Sequence, residues 1–123
     1  MDDVGTVMVT ASKASLTMAE MTEEQALAAV EEGLVSDQSL PVKLRRGDGL
    51  DLAMLQRTKE ALKVLRELYR GRDVVPKRLA FATVDLLGTL MSGNYPDDVW
   101  YRLEVACEEL VALAYSIFEP DRA

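Results

Sequence analysis

The sequence contains no histidine. Histidine is the commonest metal ligand in proteins and the usual general acid or base near neutral pH. Its absence excludes Ser-His and Cys-His nucleophile pairs, and also the carboxylate–histidine di-iron sites found in some helical bundles. An enzyme built on this chain would have to depend on carboxylates, lysine, tyrosine or a bare thiol.

Cysteine is almost as scarce, since Cys107 is the single thiol and no intrachain disulfide can form. A lone thiol is typical of proteins from reducing compartments. The chain opens with the acidic residues Asp2 and Asp3, where a secretory signal carries positive charge. No apolar run approaches the roughly 20 residues of a membrane-spanning helix. The sequence therefore predicts a cytoplasmic protein without membrane association.

The composition is that of an ordinary globular domain, with 123 residues, 49% of them hydrophobic and 28% charged. Apolar residues recur at spacings of three and four in four segments, which predicts an all-α fold. Short connections after the second and third segments predict antiparallel neighbours in a small four-helix bundle, with the most apolar third segment at its centre. The predicted helices cover residues 22–34, 50–70, 75–92 and 96–118, with a loop over 34–49 and an earlier start near Ser15 left open.

The first residues differ from the rest because the stretch 4–10 is rich in β-branched residues and predicts an extended or strand-like arm. We assign residues 1–14 to this N-terminal extended arm and residues 15–123 to a single helical-bundle domain. An unpaired strand tends to pair with another, so the arm is expected to pack on its own bundle or on a second copy. The interface candidates are Val7, Met8 and Val9 in the arm, together with Tyr95 and Tyr101 beside the fourth helix; Trp100 and Phe118 are assigned to the core.

The net charge of −7 and the pI of 4.6 describe an acidic protein whose charge is unevenly distributed. Residues 1–42 carry −7, residues 43–78 carry +6 and residues 79–123 carry −6. The basic middle favours binding of an anion, such as a nucleic acid, a phosphorylated ligand or an acidic partner. Alternatively, it is a solvated helix face, or it meets the acidic helices of this or another copy. The candidate anion- or partner-binding residues are Arg45, Arg46, Lys59, Lys63, Arg66 and Arg70.

The remaining chemical groups predict no catalytic residue, cofactor or metal site. None of the paired acids is followed by a third acid at the spacing of the Glu-Glu-x-x-Glu magnesium helix of all-helical pyrophosphohydrolases. Cys107 lies in the apolar stripe of the fourth helix and is expected in the core. The tripeptide Arg46-Gly47-Asp48 predicts a turn, with Asp48 or Asp51 capping the second helix.

These observations favour a non-enzymatic protein–protein interaction or assembly module that self-associates as a homodimer. The third helix and the arm carry apolar positions on more than one face, which is more than a small bundle can bury. The alternative is a regulator that binds nucleic acid or a phosphorylated ligand through the basic second helix, although the overall acidity disfavours a long polyanion. An enzyme would require a pocket of convergent charged groups with shifted pKa values.

Overall fold

The computed structural model describes residues 21–120 and is helical, with no strand in that range. The prediction of a small all-α fold is therefore confirmed. The extended arm over residues 1–14 and a domain start at residue 15 lie outside the described residues. The helices are α1 (Glu23–Leu34), α2 (Leu40–Arg45), α3 (Leu52–Leu68), α4 (Lys77–Thr83), α5 (Leu86–Leu90) and α6 (Asp97–Phe118).

Helix α3 forms the centre of the fold, because it packs against α1 on one side and α6 on the other. Helix α4 packs on α1, while α5 packs on α6 and α2. Leu62 and Leu65 of α3 are fully buried between Val30 of α1 and Leu103 and Leu110 of α6, all in one continuous core. The prediction that the third apolar segment is central is therefore wrong, and the second predicted helix has that place.

Helix α1 begins at the predicted capping box. The backbone amide of Gln25 donates to Thr22 Oγ1 at 3.1 Å, and the amide of Thr22 donates to Gln25 Oε1 at 2.9 Å. These two bonds satisfy donors that a helix start otherwise leaves free. Gly33 does not end the helix as its type suggests, because α1 continues to Leu34. Instead, Gly33 lies against Thr58 of α3, where a side chain would not fit.

The predicted loop over residues 34–49 is wrong in part, since it contains the short helix α2. Pro41 lies in the first turn of α2, where a proline has no amide to lose from the helix. Leu40 and Leu44 are buried, which joins α2 to the core. Lys43 donates to Asp51 Oδ2 at 2.7 Å, and Asp51 in turn caps α3 by accepting from the amide of Met54 at 3.0 Å.

The predicted third helix over residues 75–92 is broken into α4 and α5 at Asp85. Asp85 has φ of −135°, outside the helical region, and its carboxylate accepts a hydrogen bond from the amide of Gly88 at 3.2 Å. An aspartate in this arrangement starts a new helix. Val84 and Leu87 are exposed and do not join the core, although they belong to the most apolar predicted segment.

Helix α6 matches the predicted fourth helix almost residue for residue. Its buried stripe includes Leu103, Cys107, Leu110 and Ile117, as the spacing predicts. Phe118, assigned to the core from its sequence, is instead 40% exposed. The last turn of α6 therefore presents an aromatic ring at the surface, next to the break between α4 and α5.

Candidate functional site

A groove runs along the C-terminal half of α6, bounded on its other side by the junction of α4 and α5. It consists of two adjoining depressions of about 430 and 450 Å³, which share the side chains of Leu87, Val111 and Tyr115. We call this surface the apolar groove. Its main apolar side chains are Val84, Leu87, Val111, Ala114, Tyr115 and Phe118.

The apolar groove is notable for how much of its hydrophobic surface meets solvent. Val84 is 78% exposed, Tyr115 is 70% exposed and Leu87 is 58% exposed. Phe81, one turn before Val84, is exposed as well. Single exposed apolar residues are ordinary, but several large ones around one concave surface mark a binding site in a protein.

The helical period of the buried residues leaves this surface outside the core. Helix α5 buries Leu86 and Leu90, which are four residues apart and therefore lie on one helix face. Leu87 follows Leu86 by about 100° of helix rotation and so points away from that face. The sequence puts apolar side chains on both sides of this short helix, and the fold covers only one of them.

The charged groups that line the apolar groove are all acidic. Asp85 lines the first depression, while Glu108 and Glu119 line the second. No lysine or arginine lines either depression among residues 21–120. We call Asp85, Glu108 and Glu119 the acidic rim. The site therefore combines an apolar floor with negative charge at its edge.

The six basic candidates do not form one surface for an anion. Lys59 reaches α6 and donates to Glu109 Oε1 at 2.8 Å. Arg46 instead pairs with Asp48 in the turn before α3, at 2.8 Å. Arg45 and Lys63 have no ion pair with any residue in the range 21–120. Much of the predicted basic stripe thus lies against acidic groups of the same chain.

Arg66 and Arg70, the last two of the candidates, line a cleft of about 470 Å³ together with Arg72. We call this the arginine cleft. Arg66 and Arg70 both pair with Glu67, and these arginines lower the pKa of that carboxyl. The guanidinium of Arg72 stacks 5.8 Å from the ring centre of Tyr69. Arg72 was not predicted as a site residue, because it follows the helical stripe in the turn after α3.

Acids also line the arginine cleft, in the form of Asp73 and Glu119. Tyr69 closes one side and donates its hydroxyl to Glu23 Oε2 of α1 at 2.6 Å. Burial, and then the adjacent carboxylate of Glu23, raise the pKa of Tyr69. The cleft therefore has mixed charge, and its arginines have partners within the fold.

The predicted interface residues are in different environments. Tyr95 is half-buried and contacts Trp100 edge-on, with 5.5 Å between the ring centres. Its hydroxyl is buried and has no hydrogen-bond partner among residues 21–120. Tyr101 is exposed on α6. Val7, Met8 and Val9 lie outside the described residues, so the structure places none of them.

Tyr115 is not among the site residues predicted from the sequence, and Val84 and Leu87 belong to the apolar segment that is predicted as one continuous helix over residues 75–92. Tyr115 falls outside the three-and-four spacing of the buried positions of α6, and this position in the pattern indicates an exposed side chain. Asp85 is of a type that favours N-caps, but a capping box would need Glu or Gln where Gly88 stands. The sequence therefore contains only a weak signal of the break.

We also searched residues 21–120 for a metal site, a reactive thiol and a membrane-spanning helix. No group of three or more Cys, Asp or Glu side chains within residues 21–120 is placed to hold a metal ion. Cys107 is buried, and burial raises the pKa of its thiol. Of the helices in the same range, none has the length and apolar character needed to cross a bilayer.

The apolar groove is the surface on which the proposed function is based. Its shape, exposure and acidic rim are properties of residues in α4, α5 and α6. Comparison with protein-family models, with curated proteins and with solved structures finds no match to this chain.

Proposed function

We propose that this protein is a protein–protein interaction module and that the apolar groove is its docking surface. The observation that carries the proposal is the exposure of Val84, Leu87 and Tyr115 around one concave surface. Tyrosine is enriched among the few residues that supply most of the binding free energy at protein interfaces, and exposed aliphatic side chains around it add apolar area for a partner to cover.

Removal of apolar surface from water favours binding of a partner at the apolar groove. Covering apolar surface with a partner contributes about 25 cal/mol per Å² removed from water. A binding partner recovers this free energy at the groove, which residues 21–120 leave uncovered. The short helix α5 holds Leu87 in place through its buried neighbours Leu86 and Leu90, so less conformational entropy is lost on binding.

Self-association, predicted from the sequence, stays a prediction and is one outcome of the test below. A two-fold contact of groove on groove would bring the acidic rims of the two copies together. Like charges facing each other across an interface oppose association. The acidic rim therefore favours a different partner over a second copy at this surface.

The proposal is tested by purifying the tagged full-length chain from its native host in three forms: unchanged, Leu87→Glu and Leu52→Glu. Leu52 is a matched control, because it is also 58% exposed but lies on α3, outside the groove. We expect a protein that co-purifies in stoichiometric amount with the unchanged chain and with Leu52→Glu, but not with Leu87→Glu.

Circular dichroism melts of both variants establish that each is folded. Sedimentation velocity then shows whether the co-purifying protein is a second copy of the same 13.6 kDa chain. If all three forms retain the same proteins, or none of them retains any, the apolar groove is not a docking surface and the proposal is wrong.

The arginine cleft supports a second candidate function, binding of a small phosphorylated ligand. The cleft is lined by Arg66, Arg70 and Arg72 together with the ring of Tyr69. Guanidinium groups form bidentate hydrogen bonds with phosphate. Titration calorimetry with inorganic phosphate and with a short DNA duplex at low salt tests this candidate. If neither probe gives a heat of binding, this candidate is contradicted. Binding that weakens steeply as the salt concentration rises supports it.

A further inference from the structure

We infer that the partner of the apolar groove is a basic amphipathic helix, about three turns of which are in contact with the groove. This inference rests on the proposed function and specifies the partner's chemistry. It follows from three features of the structure: the straight wall formed by α6, the acidic rim, and the change of charge where the groove ends.

The shape of the groove indicates a helix. One wall is the face of α6 from Glu108 to Phe118, with Glu119 just beyond it, and the opposite side is α5 with the end of α4, of which only Leu87 reaches the second depression. A groove bounded by helices on both sides accepts an amphipathic helix, whose apolar face presents side chains at positions i, i+3, i+4 and i+7. At a rise of about 1.5 Å per residue, this wall is about 17 Å long, which corresponds to roughly three turns of a bound helix.

The acidic rim indicates the sign of the partner's charge. Glu108 and Asp85 are exposed on opposite sides of the groove, and Glu119, which also lines the arginine cleft, lies at the end of the α6 wall. Lysine or arginine flanking the apolar face of a bound helix would lie beside these carboxylates. Such complementary charge speeds association and selects against acidic partners.

The surface changes character beyond Phe118, which lines both the apolar groove and the arginine cleft. A basic helix that continued past this point would leave the wholly acidic rim and meet the mixed charge of the arginine cleft, where Arg66, Arg70 and Arg72 outnumber Asp73 and Glu119. The contact is therefore expected to end near Phe118, which sets the length of the bound segment. A polyanion or an anionic lipid surface would be repelled by the acidic rim, and so does not fit the groove.

Two 18-residue fluorescent peptides test the inference against the full-length chain. One contains leucine and lysine at the helical period, and the other has glutamate at every lysine position. In fluorescence anisotropy, we expect the lysine peptide to bind at least about tenfold more tightly than the glutamate peptide, a difference of roughly 1.4 kcal/mol. Tyr115→Ser is expected to weaken binding of the lysine peptide by about the same factor, since it removes apolar contact area.

Two charge reversals of equal size distinguish binding at the acidic rim from general attraction of a basic peptide to an acidic protein. Glu108→Lys changes the acidic rim, whereas Asp37→Lys makes the same change of net charge at an exposed position between α1 and α2. We expect Glu108→Lys to weaken binding of the lysine peptide several-fold, and Asp37→Lys to have little effect.

Equal binding of the two peptides would overturn the inference about charge, and so would equal effects of Glu108→Lys and Asp37→Lys. Neither result would remove a co-purifying protein that depends on Leu87, so the proposed function would stand. Conversely, lysine-selective binding that Tyr115→Ser leaves unchanged would show that the peptide binds elsewhere, and would overturn the inference.

Discussion

Gly33 of α1 lies directly against Thr58 of α3. A Cβ atom added at Gly33 would overlap Oγ1 of Thr58, which is held in place because it donates to the carbonyl of Met54 at 2.8 Å. Thr58 is 1% exposed, so it has no space into which to move. The absence of a side chain at Gly33 therefore permits the close approach of α1 to the central helix.

Gly33→Ala is expected to destabilise the fold by about 1–3 kcal/mol, the usual range for overpacking a close contact. In a Thr58→Ala background the overlap with Oγ1 is removed and a tight contact of 3.3 Å with the Cβ of residue 58 remains. The same change should then cost less, because alanine favours a helix over glycine by up to about 1 kcal/mol. Urea unfolding of the four chains measures this coupling. Equal losses in both backgrounds would show that Thr58 is not the cause.

Asp85 is expected to stabilise the start of α5 through its bond to the amide of Gly88. Asp85→Ala should lower the free energy of unfolding by about 1 kcal/mol, the typical value for loss of an N-cap. Asp85→Asn keeps a capping oxygen and should cost much less. Thermal unfolding of the two variants makes the comparison, and equal losses for Asn and Ala would argue against a capping role.

Glu31 accepts from Arg78, and the Arg78 guanidinium lowers the pKa of the Glu31 carboxyl. Because the folded-state pKa is the lower one, this group stabilises the fold fully above its unfolded value of about 4.3 and loses that contribution as pH falls through the folded value. Glu31→Gln should therefore cost about 0.5–1 kcal/mol at pH 7, as expected for a half-exposed pair, and much less at pH 3.

Urea unfolding of the unchanged chain and Glu31→Gln at both pH values measures this dependence. Glu104→Gln is the control, since Glu104 is exposed and has no ion pair with any residue in the range 21–120. A loss for Glu31→Gln that is the same at pH 3 and pH 7 would contradict the assigned role of the ion pair.

Cys107 should react slowly with iodoacetamide at pH 8, because its thiol is buried and burial raises its pKa. We expect alkylation of the folded chain to be at least about 100-fold slower than in denaturant, since reaction requires the core to open. Val105→Cys in a Cys107→Ala background provides a partly exposed thiol on the same helix. Similar rates for the two folded chains would show that Cys107 is accessible.

The parts of the fold that the sequence predicts correctly depend on local patterns. Helix α6 follows from uninterrupted spacing of its apolar residues, and the start of α1 follows from the capping box of Thr22 and Gln25. In both cases the determining residues lie within a few positions of each other. Helix α2 is the converse, because it lies in the stretch predicted as a loop, although its Pro41 suits the first turn of a helix.

The candidate site could not be predicted in the same way. An apolar run shows how many hydrophobic side chains need cover, but not which of them the fold leaves exposed. Leu86 and Leu87 are neighbours of the same type, yet one is buried and the other is exposed. The difference depends on which face of α5 packs against α6, and that packing is a tertiary contact.

Site-specific photocrosslinking tests the docking role of the apolar groove most directly. A benzophenone amino acid replaces Leu87 in one full-length chain and Leu52 in another, two side chains of equal exposure, and both chains are irradiated in cells of the native host. The account predicts a discrete crosslinked protein adduct at position 87 and none at position 52. Equal adduct yields at the two positions, or no adduct at position 87, would contradict it.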